Sequence, residues 1–190
     1  MQDIITYRRD ALNSYRLILD PPPAVKKKIA VAKTRLDAFF PGTPLSGGMP
    51  FIYLARFAAF ESEEERITEP LQKVALGAMP FRIHLKGFDH TTHTEMYIRI
   101  AETDWVNSVV DKVSAITGPW RDVHFNRLPR ISLARNLSSW QFDRVWPYFE
   151  NETFQNQFII NKMLLLRKWE GHHSWQIVKH FLFENQLIEG

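Results

Sequence analysis

Apolar side chains recur at two different periods along this chain, and the switches between them mark out strands and helices. Tyr15 to Leu19 is a short apolar run closed by Pro21-Pro22-Pro23, after which Val25, Ile29, Ala32, Leu36 and Phe39 fall on one helical stripe. The turn-rich stretch Pro41-Gly42-Thr43-Pro44-Leu45-Ser46-Gly47-Gly48 leads into a strand beginning at 50. Ser62, with Glu65 three residues on, then predicts a capping box for a helix whose stripe is Ile67, Leu71, Val74 and Ala75 and which Gly77 ends. From 81 the period is two. Phe81, Ile83 and Leu85 alternate with Arg82, His84 and Lys86, and Met96, Ile98 and Ile100 alternate with Tyr97, Arg99 and Ala101, predicting two strands around the polar loop 88–94. Thr103 or Asp104 caps a helix carrying Val106, Val109, Val110, Val113 and Ile116, stopped by Gly118-Pro119. Ser138 or Ser139 opens a further helix with Phe142, Val145, Trp146 and Phe149, strained near its end by Pro147. Strands over roughly 158–167 and 175–183 finish the chain, separated by the turn Glu170-Gly171-His172-His173.

One segment occurs twice. Pro50-Phe51-Ile52-Tyr53-Leu54-Ala55-Arg56 returns 79 residues later as Pro129-Arg130-Ile131-Ser132-Leu133-Ala134-Arg135, identical at five of seven positions. Successive side chains of a strand point to opposite faces. Ile52 and Leu54, like Ile131 and Leu133, therefore share a face that stays apolar and predicts core. The changed pairs, Phe51/Tyr53 and Arg130/Ser132, share the other face and predict a site. The order strand, helix, strand, helix, strand also occurs twice, over about 15–87 and 95–168, with a last strand over 174–183. No linker-like composition separates the halves, so 15–190 is expected to be a single two-lobed α+β domain after an N-terminal extension, 1–14, that has no counterpart in the repeat.

Composition narrows the function classes. With 190 residues, 45% hydrophobic, the chain buries a core without staples, and with no cysteine it has neither disulfides nor thiolate metal sites. A net charge of +3 falls short of a dense basic surface for non-specific nucleic-acid binding, and no DNA-binding motif occurs. Lys26-Lys27-Lys28 is the one basic run. On a helix it is a solvated face or, alternatively, a phosphate-binding rim. The start, Met1-Gln2-Asp3-Ile4-Ile5, has no basic segment followed by an apolar stretch, and no run of about 18 apolar residues occurs. A soluble cytoplasmic protein is expected, with no membrane partner.

The two repeat segments resemble the His-x-Thr/Ser strands of the two-histidine (2H) phosphoesterases, commonly written Pro-His-Ile-Thr-Leu-Ala-Arg. That superfamily includes the 2′-5′ RNA ligase-like proteins and the RNA 2′,3′-cyclic phosphodiesterases. The resemblance spans about 15–183, and the ending Trp175-Gln176-Ile177-Val178 through Phe181-Leu182 is similar to the last strand of that family. It implies a duplicated, two-lobed fold of mostly antiparallel sheets around a central cleft with helices outside. It also puts Phe51 and Arg130 at the two histidine positions and Tyr53 and Ser132 at the two hydroxyl positions. In the family one histidine is general base, the other general acid, and the hydroxyls hold phosphate oxygens. Phenylalanine has no transferable proton, and a guanidinium does not release one near neutrality. The resemblance therefore implies a catalytically degenerate member with no catalytic residues at these positions.

Strand alternation adds Arg82, His84, Lys86, Tyr97 and Arg99 to the expected cleft face beside Phe51, Tyr53, Arg130 and Ser132. Cations among stacking rings suit a nucleotide or an RNA end, whose phosphates pair with Arg and Lys while bases stack. The alternative for Arg82, His84 and Lys86 is the wet face of a half-exposed sheet, and for Phe51 and Tyr53 a plug filling a closed cleft. Arg56 and Arg135 fall on the core side of the alternation and are expected to serve as structural ion pairs or strand-end caps. His90, His93, His172 and His173 lie in predicted loops without metal-ligand spacing, so no metal and no cofactor are expected. Three readings follow: a degenerate protein that binds a phosphate-bearing ligand through Arg130 and Ser132, a cyclic phosphodiesterase using relocated residues such as His84, His124 and Tyr53, and an interaction module with a closed cleft. The sequence leaves oligomeric state open.

Overall fold

A computed structural model describes residues 10–116 and 118–186. In chain order these form β1 (Leu12–Leu19), α1 (Pro23–Asp37), β2 (Ile52–Phe60), α2 (Glu64–Leu76), β3 (Phe81–Thr91), β4 (Glu95–Ile100), α3 (Asp104–Ser114), β5 (Arg121–Phe125), β6 (Arg130–Ala134), α4 (Ser139–Phe149), β7 (Gln155–Ile160), β8 (Lys162–Lys168) and β9 (Gln176–Leu182). The fold is α+β, with two antiparallel sheets: five strands in the order β5-β2-β1-β8-β9 and four in the order β6-β4-β3-β7. The first repeat strand, β2, lies in the larger sheet and the second, β6, in the smaller.

The helices cover one face of each sheet because their apolar stripes match the apolar half of each strand's alternation. α2 packs on β9 and α3 on β2. α1 packs on β6, and Phe149 of α4 meets Phe88 of β3 edge-on at 5.0 Å. Leu17, Ile29, Ile52, Ile67, Ile98, Leu133 and Val145 are fully buried in this core, each stabilising the fold by about 1.5–3 kcal/mol. The other face of the smaller sheet carries polar alternates, while that of the larger sheet sets Arg16 beside a second apolar cluster of Ile18, Phe51, Leu164 and Leu166; the two faces border a cleft.

Local features depart from the sequence pattern in several places. Strand β1 begins at Leu12, inside the expected extension, whose residues 1–9 lie outside the described residues. Ser62 does not cap α2: its N–H donates to Asp10 at 3.2 Å, and a 3-10 turn over Glu61–Glu63 places Glu63 where its carboxylate accepts the Phe60 N–H at 3.1 Å. The apolar run from 158 to 167 is two strands, because the chain leaves the smaller sheet at Asn161 and enters the larger one. Strand β5 is mostly exposed and has no apolar alternation to announce it; it exists through pairing with β2. His90 lies in β3 and not in a loop, whereas His93 is in the exposed turn that follows, as expected. His90 packs 4.7 Å from the Trp146 ring, and His93 stacks on Phe142 at 4.6 Å.

β2 carries a bulge. Leu17 pairs with Ala55 and Ile18 with Tyr53, so Leu54 is the extra residue and the alternation resets behind it. Ile52 and Leu54 point into the core as the sequence pattern predicts, but so do Ala55, Phe57 and Ala59, which sends Arg56 to the cleft face.

Behind the cleft, the fully buried Tyr15 hydroxyl donates to Glu64 at 2.9 Å. Burial, and then the Glu64 carboxylate, hold this phenol well above its ordinary value of 10.0. A raised pKa favours the protonated fold, so this contribution is intact below pH 10 and is lost as pH rises past it. Urea melts are expected to show wild type losing stability relative to Tyr15→Phe between pH 10 and about 12. Parallel curves for the two proteins would contradict the buried, protonated phenol.

Candidate functional site

A cavity of about 330 Å³ opens where the two sheets meet. The larger sheet contributes Arg16 from β1, Tyr53 and Arg56 from β2 and His124 from β5, with Asn126 just beyond; the smaller contributes Glu95, Arg130 and Arg135. The pairing registers explain the set. Arg16 lies opposite Arg56 and Arg56 opposite His124, so these three form a row across adjacent strands. Asn126 fixes the bulge that creates the row: its N–H donates to the Leu54 carbonyl and its amide to the Tyr53 carbonyl, each at 2.9 Å.

Four guanidinium groups against one carboxylate leave three net positive charges among the lining residues. Glu95 engages the smaller sheet's pair, at 2.6 Å from Arg130 and 3.4 Å from Arg135. Arg16 donates to the Tyr53 hydroxyl at 2.8 Å and lies 4.1 Å over the Trp175 ring. Burial is the largest influence on the Arg16 guanidinium and lowers its pKa; Tyr53 opposes that shift, and the nearby Arg135 and Arg56 add to it. Among the described residues, no hydrogen bond or ion pair engages Arg56. Such an arrangement can hold an anion, since guanidinium forks match phosphate geometry, and it offers one imidazole, His124, as a proton carrier.

The residues singled out from the sequence separate into groups. Tyr53, Arg130 and His124 line the cavity. Ser132 is buried beneath it, accepting from Arg135 Nε at 3.0 Å, and Arg135 in turn lies 5.8 Å over the Tyr53 ring, so the two hydroxyl positions meet across one guanidinium. Tyr97 supports Arg130, whose guanidinium lies 4.8 Å over its ring. Phe51 does not reach the cavity. Its ring is buried in a separate apolar cluster with Ile18, Leu164 and Leu166 and meets Tyr53 edge-on at 6.5 Å.

Arg99 pairs across from Arg130 but donates to the Lys86 carbonyl at 3.1 Å. Arg82 is exposed farther along the same sheet. His84 and Lys86 line a different groove of about 570 Å³, where His84 meets Glu102 at 2.8 Å. His84 and His124 therefore do not share a cavity. Arg56 departs from its expected core-side role through the bulge; Arg135, just past the strand end at Ala134, forms the expected ion pair, with Glu95, but on the cleft side, and both line the cavity. Arg16, Glu95 and Trp175 complete the site without having been singled out from the sequence. Arg16 had a signal, as the one cation within an apolar strand.

The model of the 2′-5′ RNA ligase superfamily matches residues 21–172. The chain belongs to this superfamily of 2H phosphoesterases. No curated protein matches the sequence. Among solved structures, apo LigT of E. coli superposes with TM-score 0.60 at 12% identity, over 90% of this chain and 98% of that one. TT0787 of Thermus thermophilus gives 0.59 at 16% identity, over 92% and 100%. LigT complexed with 3′-AMP gives 0.56 at 11% identity, over 91% and 98%. These are likenesses of fold. No described helix is long and apolar enough to cross a membrane.

Proposed function

We propose that this protein is a degenerate member of the superfamily that binds the phosphate of a nucleotide, an RNA end or another phosphate-bearing ligand in the four-arginine cavity and does not carry out the two-histidine reaction. The carrying observation is that cavity, with three net positive charges and Arg130 among its lining residues, while Phe51 lies outside it in an apolar cluster; the family frames read in the sequence support taking these two positions as the ones that carry histidine elsewhere. The structure of E. coli LigT with 3′-AMP is consistent with a fold that accepts such ligands. Binding needs donors and positive charge, which Arg16, Arg56, Arg130 and Arg135 supply. Acid-base turnover needs two groups that exchange protons near neutrality, and among the lining residues His124 alone is an imidazole. An open cavity argues against an interaction module with a closed cleft.

Calorimetric titration with 3′-AMP and with inorganic phosphate is expected to show binding that Arg130→Ala weakens by about tenfold or more, since a charge-assisted hydrogen bond contributes about 1.5–3 kcal/mol. Incubation with adenosine 2′,3′-cyclic phosphate is expected to return it intact. Turnover that survives Arg130→Ala and Tyr53→Phe but disappears in His84→Ala or His124→Ala would replace this reading with a relocated active site.

A further inference from the structure

The two walls of the cavity differ in how their charge is balanced. On the smaller sheet Arg130 and Arg135 share Glu95. On the larger sheet Arg16 stands opposite Arg56 on the neighbouring strand, and no carboxylate lines that wall. Like charges directly opposite across a strand pair destabilise it. Arg16 is held there by neutral groups, the Tyr53 hydroxyl and the faces of Tyr53 and Trp175, which fix its position without neutralising it. This wall is a fixed pair of unbalanced charges waiting for two negative ones.

We infer that the cavity selects its ligand by charge, taking the dianion of a terminal phosphomonoester in preference to the monoanion of a cyclic or internal phosphodiester, with Arg16 and Arg56 as the selecting pair. The inference rests on the phosphate-binding reading above and goes beyond it by naming the ligand class. Coulomb attraction scales with the product of the charges, so a second negative charge doubles the ligand's interaction with the site. A monoester also presents three terminal oxygens to two guanidinium forks, where a diester presents two. Glu95 sets the limit, because it offsets part of the positive charge of the opposite wall.

The test titrates the full chain with 3′-AMP and with adenosine 2′,3′-cyclic phosphate, which share base and ribose, and with inorganic phosphate as a third probe. At about pH 8 the monoester is fully dianionic, its second ionisation lying near 6. The expected result is affinity for 3′-AMP at least about tenfold above the cyclic ester at low salt, with a steeper loss for 3′-AMP as salt rises from about 0.05 to 0.5 M. Arg56→Gln is expected to bring the ratio below about threefold, while Lys73→Gln, on the far side of α2, leaves it unchanged. Equal affinities with equal salt slopes overturn charge selection and leave phosphate binding standing, as does tighter binding of the cyclic ester. Binding of none of the three probes overturns both readings. The salt slopes are read on the wild-type protein, so the inference stays testable if Arg56→Gln does not fold.

Discussion

Phe51→His combined with Arg130→His is expected to leave the protein inactive on adenosine 2′,3′-cyclic phosphate, and adding Tyr53→Thr and Ser132→Thr is expected to create turnover. The reason is geometric. Phe51 is buried in the apolar cluster of Ile18, Leu164 and Leu166 and does not line the cavity, and it meets edge-on at 6.5 Å the ring of Tyr53, which does. An imidazole at 51 is expected to lie buried beside that ring and among aliphatic groups, out of reach of a ligand beside Arg130. Threonine at 53 removes the ring, opens the path from 51 to the cavity and releases Arg16, which now donates to the Tyr53 hydroxyl at 2.8 Å. Each positioned acid or base contributes about 10²–10⁴-fold, so the fourfold variant should exceed the twofold one by at least about 10²-fold in single-turnover hydrolysis. Equal activity in the two variants would show that Tyr53 seals nothing. An inactive fourfold variant with an intact far-UV and near-UV spectrum would show that the cleft lacks more than its two histidines.

Much of this architecture is legible in the residues, and what is hidden has identifiable causes. Period-two segments such as Phe81-Ile83-Leu85 and helical stripes such as Val106-Val109-Val110-Val113 announce themselves because burial on one face demands them. The paired segments around Ile52 and Ile131 point to the cleft for the same reason. Arg56 is different. Its side is decided by one extra residue at Leu54, and a bulge changes no residue type, so simple alternation puts Arg56 in the core when it belongs to the cavity. The division at Asn161 is easy to miss because only the polar pair Asn161-Lys162 separates two apolar stretches, and so short an interruption does not by itself mark a change of sheet. Glu95 and Arg16 are legible only as polar exceptions. Which of them face one another depends on how the two sheets meet, and no local pattern records that.

Arg167→Met is expected to cost up to about 3 kcal/mol of stability while leaving phosphate affinity within about twofold; removing one partner of a buried ion pair costs about 3–5 kcal/mol, and this pair is only part-buried. Arg167 is only 14% exposed and reaches Glu64 at 2.7 Å and Glu61 at 3.0 Å, joining β8 to the start of α2. Its guanidinium also lies 4.6 Å over the Trp169 ring. Without it, Glu64 keeps the Tyr15 hydroxyl as donor, but Glu61 loses its contact, so the estimate sits at the low end of the range. About 3 kcal/mol is roughly a hundredfold in the unfolding equilibrium, at 1.4 kcal/mol per factor of ten, and urea melts resolve it readily. Arg167→Lys should recover part of the loss, because an ammonium keeps the charge and can meet both carboxylates from one nitrogen as Nη1 does here, but it loses the planar contact over Trp169. Binding should be spared for a reason that lies in the strand itself. Tyr15 and Arg16 are neighbours in β1 on opposite faces, so the network that locks Tyr15 lies behind the sheet whose front presents Arg16. If Arg167→Met weakened 3′-AMP binding as strongly as it weakened the fold, the two faces of the sheet would be coupled, and the separation between what stabilises this protein and what equips its cleft would be wrong.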